Sequence, residues 1–323
     1  MKSEGLQYTT ILRNELQAVR DTMLEVRQQL PDPVAPALAA LINGGGKRLR
    51  PALTLLSAYM FGADMQYAVP VAAAIEMLHT ATLIHDDLID NAMVRRGTQT
   101  LNANWTSAAT VLTGDVAFAW AAKLATRCQN IRVVQRFSET LAIICNGELS
   151  QMFTDKGRLS TEAAYYSRIF AKTASLFALA TEAGAILALQ SEEDIARLNL
   201  FGKLLGEAFQ IVDDVLDFMG DETTLGKPVG SDLRQGIVTL PVLHYSQQHP
   251  DDARIQAVFN LPRDEAAIQS LVADLRRSDA ADWAMQQAKT RADEAHALLT
   301  VYPATPYRGA IEEIAAFAVR RQY

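Results

Sequence analysis

Two copies of one acidic pattern, Asp-Asp-x-x-Asp, lie within strongly apolar segments whose composition is typical of helices. The copies comprise Asp86, Asp87 and Asp90 in the first segment and Asp213, Asp214 and Asp217 in the second. On a helix, residues i and i+4 share a face, so each copy should direct two carboxylates the same way. Carboxylates gathered around one cavity repel each other strongly unless cations lie between them. The pattern therefore predicts core helices that bring acidic side chains to a cation site.

The residues around the aspartates indicate which cation this is. A single copy of the motif would be interpreted as a solvated helix face, but Met77–Ile84 and Ala208–Val212, which precede the two copies, are typical of core helices. An unpaired charge in such a core costs several kcal/mol. Aspartate oxygens without clustered His or Cys favour Mg²⁺ over zinc, and Mg²⁺ usually binds one or two carboxylates together with phosphate oxygens. We expect a diphosphate ligand and two or three Mg²⁺ ions, for which Mn²⁺ can substitute.

A glycine-rich segment supplies the positive charge that a diphosphate needs. Residues 44–51 place Lys47, Arg48 and Arg50 just before a predicted helix. Backbone N–H groups at a helix start, together with Lys and Arg side chains, form an anion site. The alternative for this segment alone is a hinge with solvated charges.

Other polar residues near the motifs are weaker signals when taken one by one. They are His79 before the first motif, Arg95 and Arg96 after it, Lys172 and Thr173 in a run of small residues, Gln210 before the second motif, and Lys227 in a glycine-rich loop. Each has a structural alternative, such as charge balance for the two arginines or core packing for the histidine. Together they are candidate phosphate contacts.

Composition excludes some function classes. The chain has 323 residues, of which 49% are hydrophobic, and a formal net charge of −7, which argues against a general nucleic-acid binder. Cys128 and Cys145 have no CxxC or His-rich company, so both are expected to be buried thiols. We expect a cytoplasmic protein without a signal peptide or an integral membrane segment, because charged residues interrupt the apolar stretches.

Nearly the whole chain is predicted to be helical, because Ala and Leu are frequent and alternating β-branched residues are rare. Helix breaks are expected after Asn43, at Phe61-Gly62, around Gly97, at Thr113-Gly114 and from Gly220 to Gly236. No Pro/Ser-rich linker divides the chain. Residues 1–323 are therefore predicted to form one all-α domain.

Five segments occur in the order and spacing of the trans-isoprenyl diphosphate synthases, or polyprenyl synthetases, which this chain resembles. They are GGGKRLRP (44–51), MLHTATLIHDDLIDNAMVRRG (77–97), AKTASLF (171–177), QIVDDVLDF (210–218) and GKPVGSDLRQG (226–236). The resemblance implies a single large helical bundle around a central cavity, of the isoprenoid synthase type, and a homodimer. It also implies Mg²⁺-dependent head-to-tail condensation of isopentenyl diphosphate with an allylic diphosphate.

The resemblance further implies roles for individual residues, with the six aspartates and Lys172 as the catalytic set. Mg²⁺ that holds the allylic diphosphate would bind Asp86 and Asp90, with Asp87 beside them, and another Mg²⁺ would bind Asp213, supported by Asp214 and Asp217. Isopentenyl diphosphate would be held by Lys47, Arg50, His79 and Arg96. The allylic diphosphate would contact Arg95, Lys172, Thr173, Gln210 and Lys227. Ile237 departs from the family pattern, because many members have a Lys there that can touch the allylic phosphate.

Product length is expected to depend on the helix that precedes the first motif, along which the growing tail should run. In short-chain members that this chain resembles, bulky aromatics at positions matching Ala81 or Thr82 stop the tail early. The small residues present here, with Leu78 further back, favour a product of C20 or longer. Residues on facing helices that could form the floor of the cavity, where the tail would stop, such as Phe118, Leu141 or Ile144, stay unassigned.

Three rival functions stay open at this point. A class I terpene cyclase also ionises a prenyl diphosphate, but its second metal motif usually mixes Asn, Ser or Thr, and Glu, whereas this chain repeats Asp. A regulatory subunit that pairs with an active synthase tends to lose an acidic motif, and this chain keeps both. A purely structural helical scaffold leaves the buried carboxylates unexplained.

Overall fold

The structure is a computed structural model that describes residues 6–44, 46–95, 97–153, 159–220, 229–258 and 264–320. Within these ranges the only strands are Val94–Arg95 and Thr98–Gln99, which form one short antiparallel pair. The α-helices are α1 (Gln7–Ile11), α2 (Arg13–Leu24), α3 (Val34–Asn43), α4 (Leu49–Met60), α5 (Met65–Ile89), α6 (Leu101–Asn104), α7 (Ser107–Thr126), α8 (Ile131–Phe153), α9 (Glu162–Ile169), α10 (Ser175–Leu187), α11 (Glu192–Met219), α12 (Ser231–Gln235), α13 (Leu240–Gln248), α14 (Ala253–Ala257), α15 (Glu265–Arg277), α16 (Ala280–Leu299) and α17 (Pro306–Arg320). A 3₁₀ turn covers Glu25–Gln29 and a π-helical turn covers Phe170–Ala174. The prediction of an all-α fold is confirmed.

Tertiary contacts divide the chain into two compact units. Unit 1 consists of Met1–Leu141, Leu176–Gly202 and Leu298–Ile314. Unit 2 consists of Ala142–Ser175, Lys203–Ala297 and Ala315–Tyr323. A single domain over residues 1–323 stays a prediction.

Helix α5 is the central element of unit 1 and packs against α2, α3, α4 and α7. Ala72, Ala73 and Ala74 are all fully buried, which is expected of a helix that is covered on every side. Asp64 caps the start of this helix by accepting a hydrogen bond of 2.8 Å from the Gln66 N–H. The first aspartate motif therefore lies at the C-terminal end of a helix whose middle is fully buried.

Helix α11 contributes an apolar face to the core of unit 2. Ile211, Val212, Val215 and Phe218 are buried in one cluster with residues of α9, α13, α15 and α16. Because these residues fix how the helix is turned about its axis, they also fix the directions of the aspartates that alternate with them.

One expected helix break is wrong, because α7 continues through Thr113-Gly114 without interruption. Gly114 lies where α7 crosses α5, and a β-carbon at this position would lie 2.8 Å from His85 Cε1 and overlap the rest of the ring. The ring nitrogen Nε2 of His85 lies 3.1 Å from the Val111 carbonyl oxygen. The glycine therefore serves close helix packing, which sequence cannot distinguish from a turn.

The two cysteines have different environments. Cys128 is buried, as expected, but Cys145 is exposed because it lies on the outward face of α8. The prediction of two buried thiols is therefore wrong for Cys145.

Two helical segments, Met65–Ile89 and Glu162–Leu187, are long and apolar enough to cross a membrane by length and composition alone. Within their most apolar windows, 67% and 89% of the residues respectively are buried inside the structure. Core helices of soluble proteins meet the same criterion, and both segments are mostly covered by protein.

We expect the substitution Gly202→Ala to destabilise the protein by about 1–3 kcal/mol, because overpacking strains a close helix crossing. A β-carbon at this position of α11 would lie 2.7 Å from Ala178 Cα and overlap the Thr181 hydroxyl and the Phe177 carbonyl oxygen. Gly309 in α17 is the matched control, since a β-carbon there meets nothing within 4 Å. Gly309→Ala should be neutral or stabilise by up to about 1 kcal/mol through helix propensity. Denaturant unfolding of both variants measures the difference, and equal free energies of unfolding would contradict the packing argument.

Candidate active site

The first motif occupies the last turn of α5. Asp86 is half-buried and Asp90 is exposed. The backbone N–H of Asp90, the residue that ends the helix, donates to the Asp86 carbonyl at 2.8 Å. These two aspartates keep the one-turn spacing that predicts a shared face.

Asp87 has a different environment from its two neighbours. It is buried, and its Oδ1 accepts a hydrogen bond of 2.7 Å from Arg95 Nε. Burial raises the pKa of the Asp87 carboxyl, and the Arg95 guanidinium opposes that rise. Arg95, predicted to contact phosphate, therefore forms an ion pair with the middle aspartate of the motif.

The basic loop before α4 divides its cations among different partners. The Tyr8 hydroxyl donates to the Lys47 carbonyl, and the Arg50 guanidinium carbon lies 4.6 Å from the centre of the Phe177 ring. Arg48 has a positive φ of 48° and forms an ion pair of 2.6 Å with Glu76 of α5. The sequence predicts that all three cations can contribute to an anion site. In the structure, Arg48 is instead paired with the buried carboxylate of Glu76.

The candidate chain-length residues follow one another along α5. Leu78 and Ala81 are fully buried, while Thr82 is half-buried and donates its hydroxyl to the His79 carbonyl at 2.8 Å. His79 itself is half-buried. The ring of Phe118 in α7 lies 5.2 Å from the ring of His85, so this candidate floor residue packs beside the first motif. Leu141 is half-buried and Ile144 is buried, both in α8.

In the second motif, Asp213 is half-buried, whereas Asp214 and Asp217 are 4% and 2% exposed. Asp217 accepts hydrogen bonds of 2.6 Å from the Ser231 hydroxyl and 3.1 Å from the Asp232 N–H. Its carboxylate thus holds the first residues of α12 against α11. Asp213 is the aspartate of this motif with the most exposure to solvent.

Asp214 is the centre of a hydrogen-bond network that links α9, the π-helical turn and α11. Its Oδ2 accepts from the Tyr165 hydroxyl at 2.7 Å, and its Oδ1 accepts from Gln210 Nε2 at 2.8 Å. The Thr173 hydroxyl donates to Gln210 Oε1 at 2.6 Å. Burial raises the pKa of Asp214 to about 6, and the hydrogen bonds from Gln210 and Tyr165 oppose that rise.

This network brings together Thr173, Gln210 and Asp214, three of the predicted site residues. It also contains Tyr165, which sequence reasoning missed. Tyr165 is fully buried, and its pKa is raised well above the usual range by burial and by the Asp214 charge. Its position seven residues before Lys172 places it on a separate helix and offers no local signal of this contact.

Lys172 lies on the π-helical turn and is exposed, while the neighbouring Thr173 is buried. Lys172 Nζ lies 2.9 Å from Glu148 Oε1 of α8. A π-helical turn changes the direction of successive side chains, and such turns are frequent at functional sites. Here Lys172 faces the Glu148 carboxylate near solvent, and Thr173 faces the buried hydrogen-bond network of Asp214.

Two predicted contacts, Arg96 and Lys227, lie outside the described residues. In the part of the chain that the structure describes, no group of three or more His, Cys, Asp or Glu side chains could hold a metal ion. Asp86 and Asp90 in unit 1, and separately Asp213 in unit 2, nevertheless fit Mg²⁺, because each has a hard carboxylate oxygen donor and is at least partly exposed to solvent. Mg²⁺ needs one or two carboxylates when phosphate oxygens complete its coordination.

The family model described as polyprenyl synthetase matches residues 32–275. The chain belongs to the polyprenyl synthetase family. Among curated relatives, it is 36% identical over 315 residues to heptaprenyl diphosphate synthase component 2 of Geobacillus stearothermophilus, covering 97% of this chain and 98% of the relative. It is 37% identical to the octaprenyl diphosphate synthase of Escherichia coli strain K12, covering 87% and 88% of the two chains. Among solved structures, the polyprenyl synthase of Caulobacter crescentus CB15, complexed with calcium and isoprenyl diphosphate, superposes with a TM-score of 0.92 at 35% identity over all of both chains.

Membership of the polyprenyl synthetase family confirms the predicted fold type and the predicted enzyme class, a prenyltransferase that makes prenyl diphosphates. It decides against the terpene cyclase and the purely structural scaffold. The calcium ion in the Caulobacter structure agrees with a divalent metal in this family.

In this polyprenyl synthetase, we expect Tyr165→Phe to lower stability by about 1–3 kcal/mol, because Asp214 would keep a buried acceptor without its donor. Activity should fall as well, since the Asp214 carboxylate that orients Gln210 would lose the second hydrogen bond that holds it in place. Tyr166→Phe is the matched control, because Tyr166 is only half-buried and its ring and hydroxyl contact Arg291 instead of a motif aspartate. Thermal unfolding and steady-state kinetics of both variants test this expectation. Equal behaviour of the two variants would contradict a specific role for the Tyr165 hydroxyl.

Proposed function

We propose that this enzyme condenses isopentenyl diphosphate with an allylic diphosphate, head to tail, to give a polyprenyl diphosphate of C20 or longer. One observation carries the assignment of the site. Each aspartate motif lies on a helix of a buried core, with its first aspartate, Asp86 or Asp213, half-buried and its second aspartate buried and hydrogen-bonded to protein donors. Such an arrangement offers oxygen ligands at two places without leaving a buried charge unpartnered.

Mg²⁺ is the metal that we propose, with Mn²⁺ as a substitute: Asp86 and Asp90 would hold Mg²⁺ at the first motif, and Asp213 would hold another Mg²⁺ at the second. When bound, the ions neutralise the diphosphate and stabilise the negative charge that develops on it as the allylic C–O bond breaks. The inward aspartates Asp87 and Asp214 support this set by orienting their neighbours.

The remaining polar residues bind and orient the two substrates. We assign Lys172, Thr173 and Gln210 to the allylic diphosphate, and Lys47, Arg50 and His79 to isopentenyl diphosphate, so that its double bond is held near the allylic carbon. Arg95, Arg96 and Lys227 complete the proposed set. Apolar walls exclude water, which would otherwise quench the allylic cation. The released diphosphate is the base that takes the proton in this proposal, so no protein side chain is assigned that step.

We further propose a homodimer, as the family resemblance implies, and a cytoplasmic location, as the interrupted apolar stretches of the sequence indicate. Helix α7 carries apolar side chains on its outward side, among which Leu112 is 63% exposed and Val111 is 39% exposed. Exposed apolar groups in this pattern are typical of a surface that another protein covers. One relative is named component 2 of its synthase, so mass measurement of the purified chain, alone and in a native extract, distinguishes a homodimer from an assembly with a second protein.

Labelled isopentenyl diphosphate tests the proposed reaction directly. The purified protein is incubated with it and with allylic primers of increasing length, with Mg²⁺ or with a chelator, and the products are dephosphorylated and separated by chromatography. We expect elongated polyprenyl products that require both the primer and the metal. Cyclic hydrocarbons, or no incorporation with any primer, would refute the proposal.

Substitution of the first aspartate of either motif, Asp86 or Asp213, should abolish most activity. We expect Asp86→Ala and Asp213→Ala each to lower kcat by about 10²–10³-fold, because each removes stabilisation of charge that develops in the transition state. Asp293→Ala, at an exposed position of α16, is the control for the loss of one surface carboxylate. Rates for the Asp86 and Asp213 variants equal to that of the control would show that these residues hold no metal.

Ala81→Phe should shorten the product, because an aromatic ring on this face of α5 blocks the growing tail. Ala81 is fully buried, so the variant is also expected to lose about 1–3 kcal/mol of stability through overpacking. Ala266→Phe, at an exposed position of α15, controls for the added ring. Chromatography of the products from both variants measures their chain lengths. A folded Ala81→Phe enzyme with unchanged product lengths would show that Ala81 does not line the path of the growing tail.

A further inference from the structure

The basic loop before α4 contains one arginine, Arg48, that forms an ion pair within the protein and is not among the residues proposed to bind substrate. Arg48 precedes the first residue of α4 and has the left-handed backbone conformation, with φ of 48° and ψ of 39°. This conformation is unfavourable for a residue with a β-carbon. Interactions of the side chain must therefore hold the loop in this form.

The Arg48 guanidinium binds two acceptors, one on α5 and one on α3. NH1 lies 2.6 Å from Glu76 Oε1, and NH2 donates to the Ile42 carbonyl at the end of α3. Glu76 is 6% exposed and lies between the fully buried Ile75 and Met77. A carboxylate in such surroundings requires a cation, so the pair links the loop firmly to the middle of α5.

The same ion pair fixes the spacing between the loop and His79. Glu76 precedes His79 by three residues on α5, and Arg48 lies between Lys47 in the loop and Arg50, the second residue of α4. The Tyr8 hydroxyl holds the Lys47 carbonyl from another side. Lys47, Arg50 and His79 are the residues that the proposed function assigns to isopentenyl diphosphate.

We propose that Arg48 and Glu76 are a positioning pair for the isopentenyl diphosphate site: the pair holds Lys47 and Arg50 at the correct distance from His79 without contacting the substrate. This inference rests on the proposed function and assigns a task to two residues outside its substrate-binding set. It explains why a carboxylate, that of Glu76, is buried in the apolar middle part of α5.

Kinetics with each substrate varied in turn test the pair. We expect Arg48→Ala and Glu76→Gln each to raise the KM for isopentenyl diphosphate about tenfold, because misplaced binding groups lose oriented contacts. The KM for the allylic primer should change less than about threefold, because the pair positions no residue that is assigned to that substrate. Arg20→Ala, at an exposed position of α2, controls for the loss of one positive charge.

Three further variants separate positioning from other roles. Arg48→Gly accepts the left-handed conformation without strain, so it should lose affinity as Arg48→Ala does if the ion pair matters, and should match the wild type if backbone conformation alone matters. Arg48→Lys keeps the charge and should be intermediate. The exchange Arg48→Glu with Glu76→Arg should recover part of the affinity that each single change loses.

Calorimetric titration of isopentenyl diphosphate in the presence of a chelator gives a readout that does not depend on turnover. A weaker Kd for Glu76→Gln, measured at a temperature where the thermal transition shows the variant to be folded, supports the proposal. If Arg48 instead binds the diphosphate directly, Glu76→Gln frees that arginine and leaves the Kd unchanged or tighter, which overturns it. An equal rise in KM for both substrates, or a wild-type KM in Arg48→Gly, also overturns it. Failure of the wild-type enzyme to elongate any primer would refute the proposed function separately, since that assay contains no Arg48 variant.

Discussion

A carboxylate inside an apolar helical core must be met by donors or by a cation, and this requirement organises the residues around both aspartate motifs. Asp87 is paired with Arg95, Asp214 accepts from Tyr165 and Gln210, and Glu76 is paired with Arg48. Arg95, Tyr165 and Arg48 each come from a different element than the carboxylate that they contact, whereas Gln210 lies on the same helix as Asp214. The acidic residues therefore hold neighbouring segments in place in addition to supplying charge.

The two motifs divide their aspartates in a similar way. In each, the first aspartate is half-buried and the second is buried and hydrogen-bonded. Five or six free carboxylates would repel one another, whereas carboxylates that are partnered inside the protein do so much less. Under the proposed function, the less buried aspartates would bind metal while the buried ones set the geometry of Gln210 and Thr173, the proposed substrate contacts.

Sequence alone predicts much of this molecule because its signals are local. Helical composition, the repeated acidic motif and the order of the five segments are each visible within a short stretch of residues. Tyr165 and Arg48 are different, since their tasks depend on which helix lies opposite. Gly114 was expected to end a helix and instead admits the His85 ring, and Cys145 was expected to be buried and instead lies on an outward face. Such features depend on tertiary neighbours, which no spacing rule supplies.

The π-helical turn at Phe170–Ala174 has a consequence for insertions and deletions. Each residue of a regular helix advances the side-chain direction by about 100°. A π-helical turn accommodates one more residue than an α-helical turn, so removing a single residue there would relax the segment into a continuous α-helix and rotate Lys172 and Thr173 relative to the residues on either side. Length variation should therefore be tolerated poorly in this short stretch, even where the side chains themselves can be exchanged.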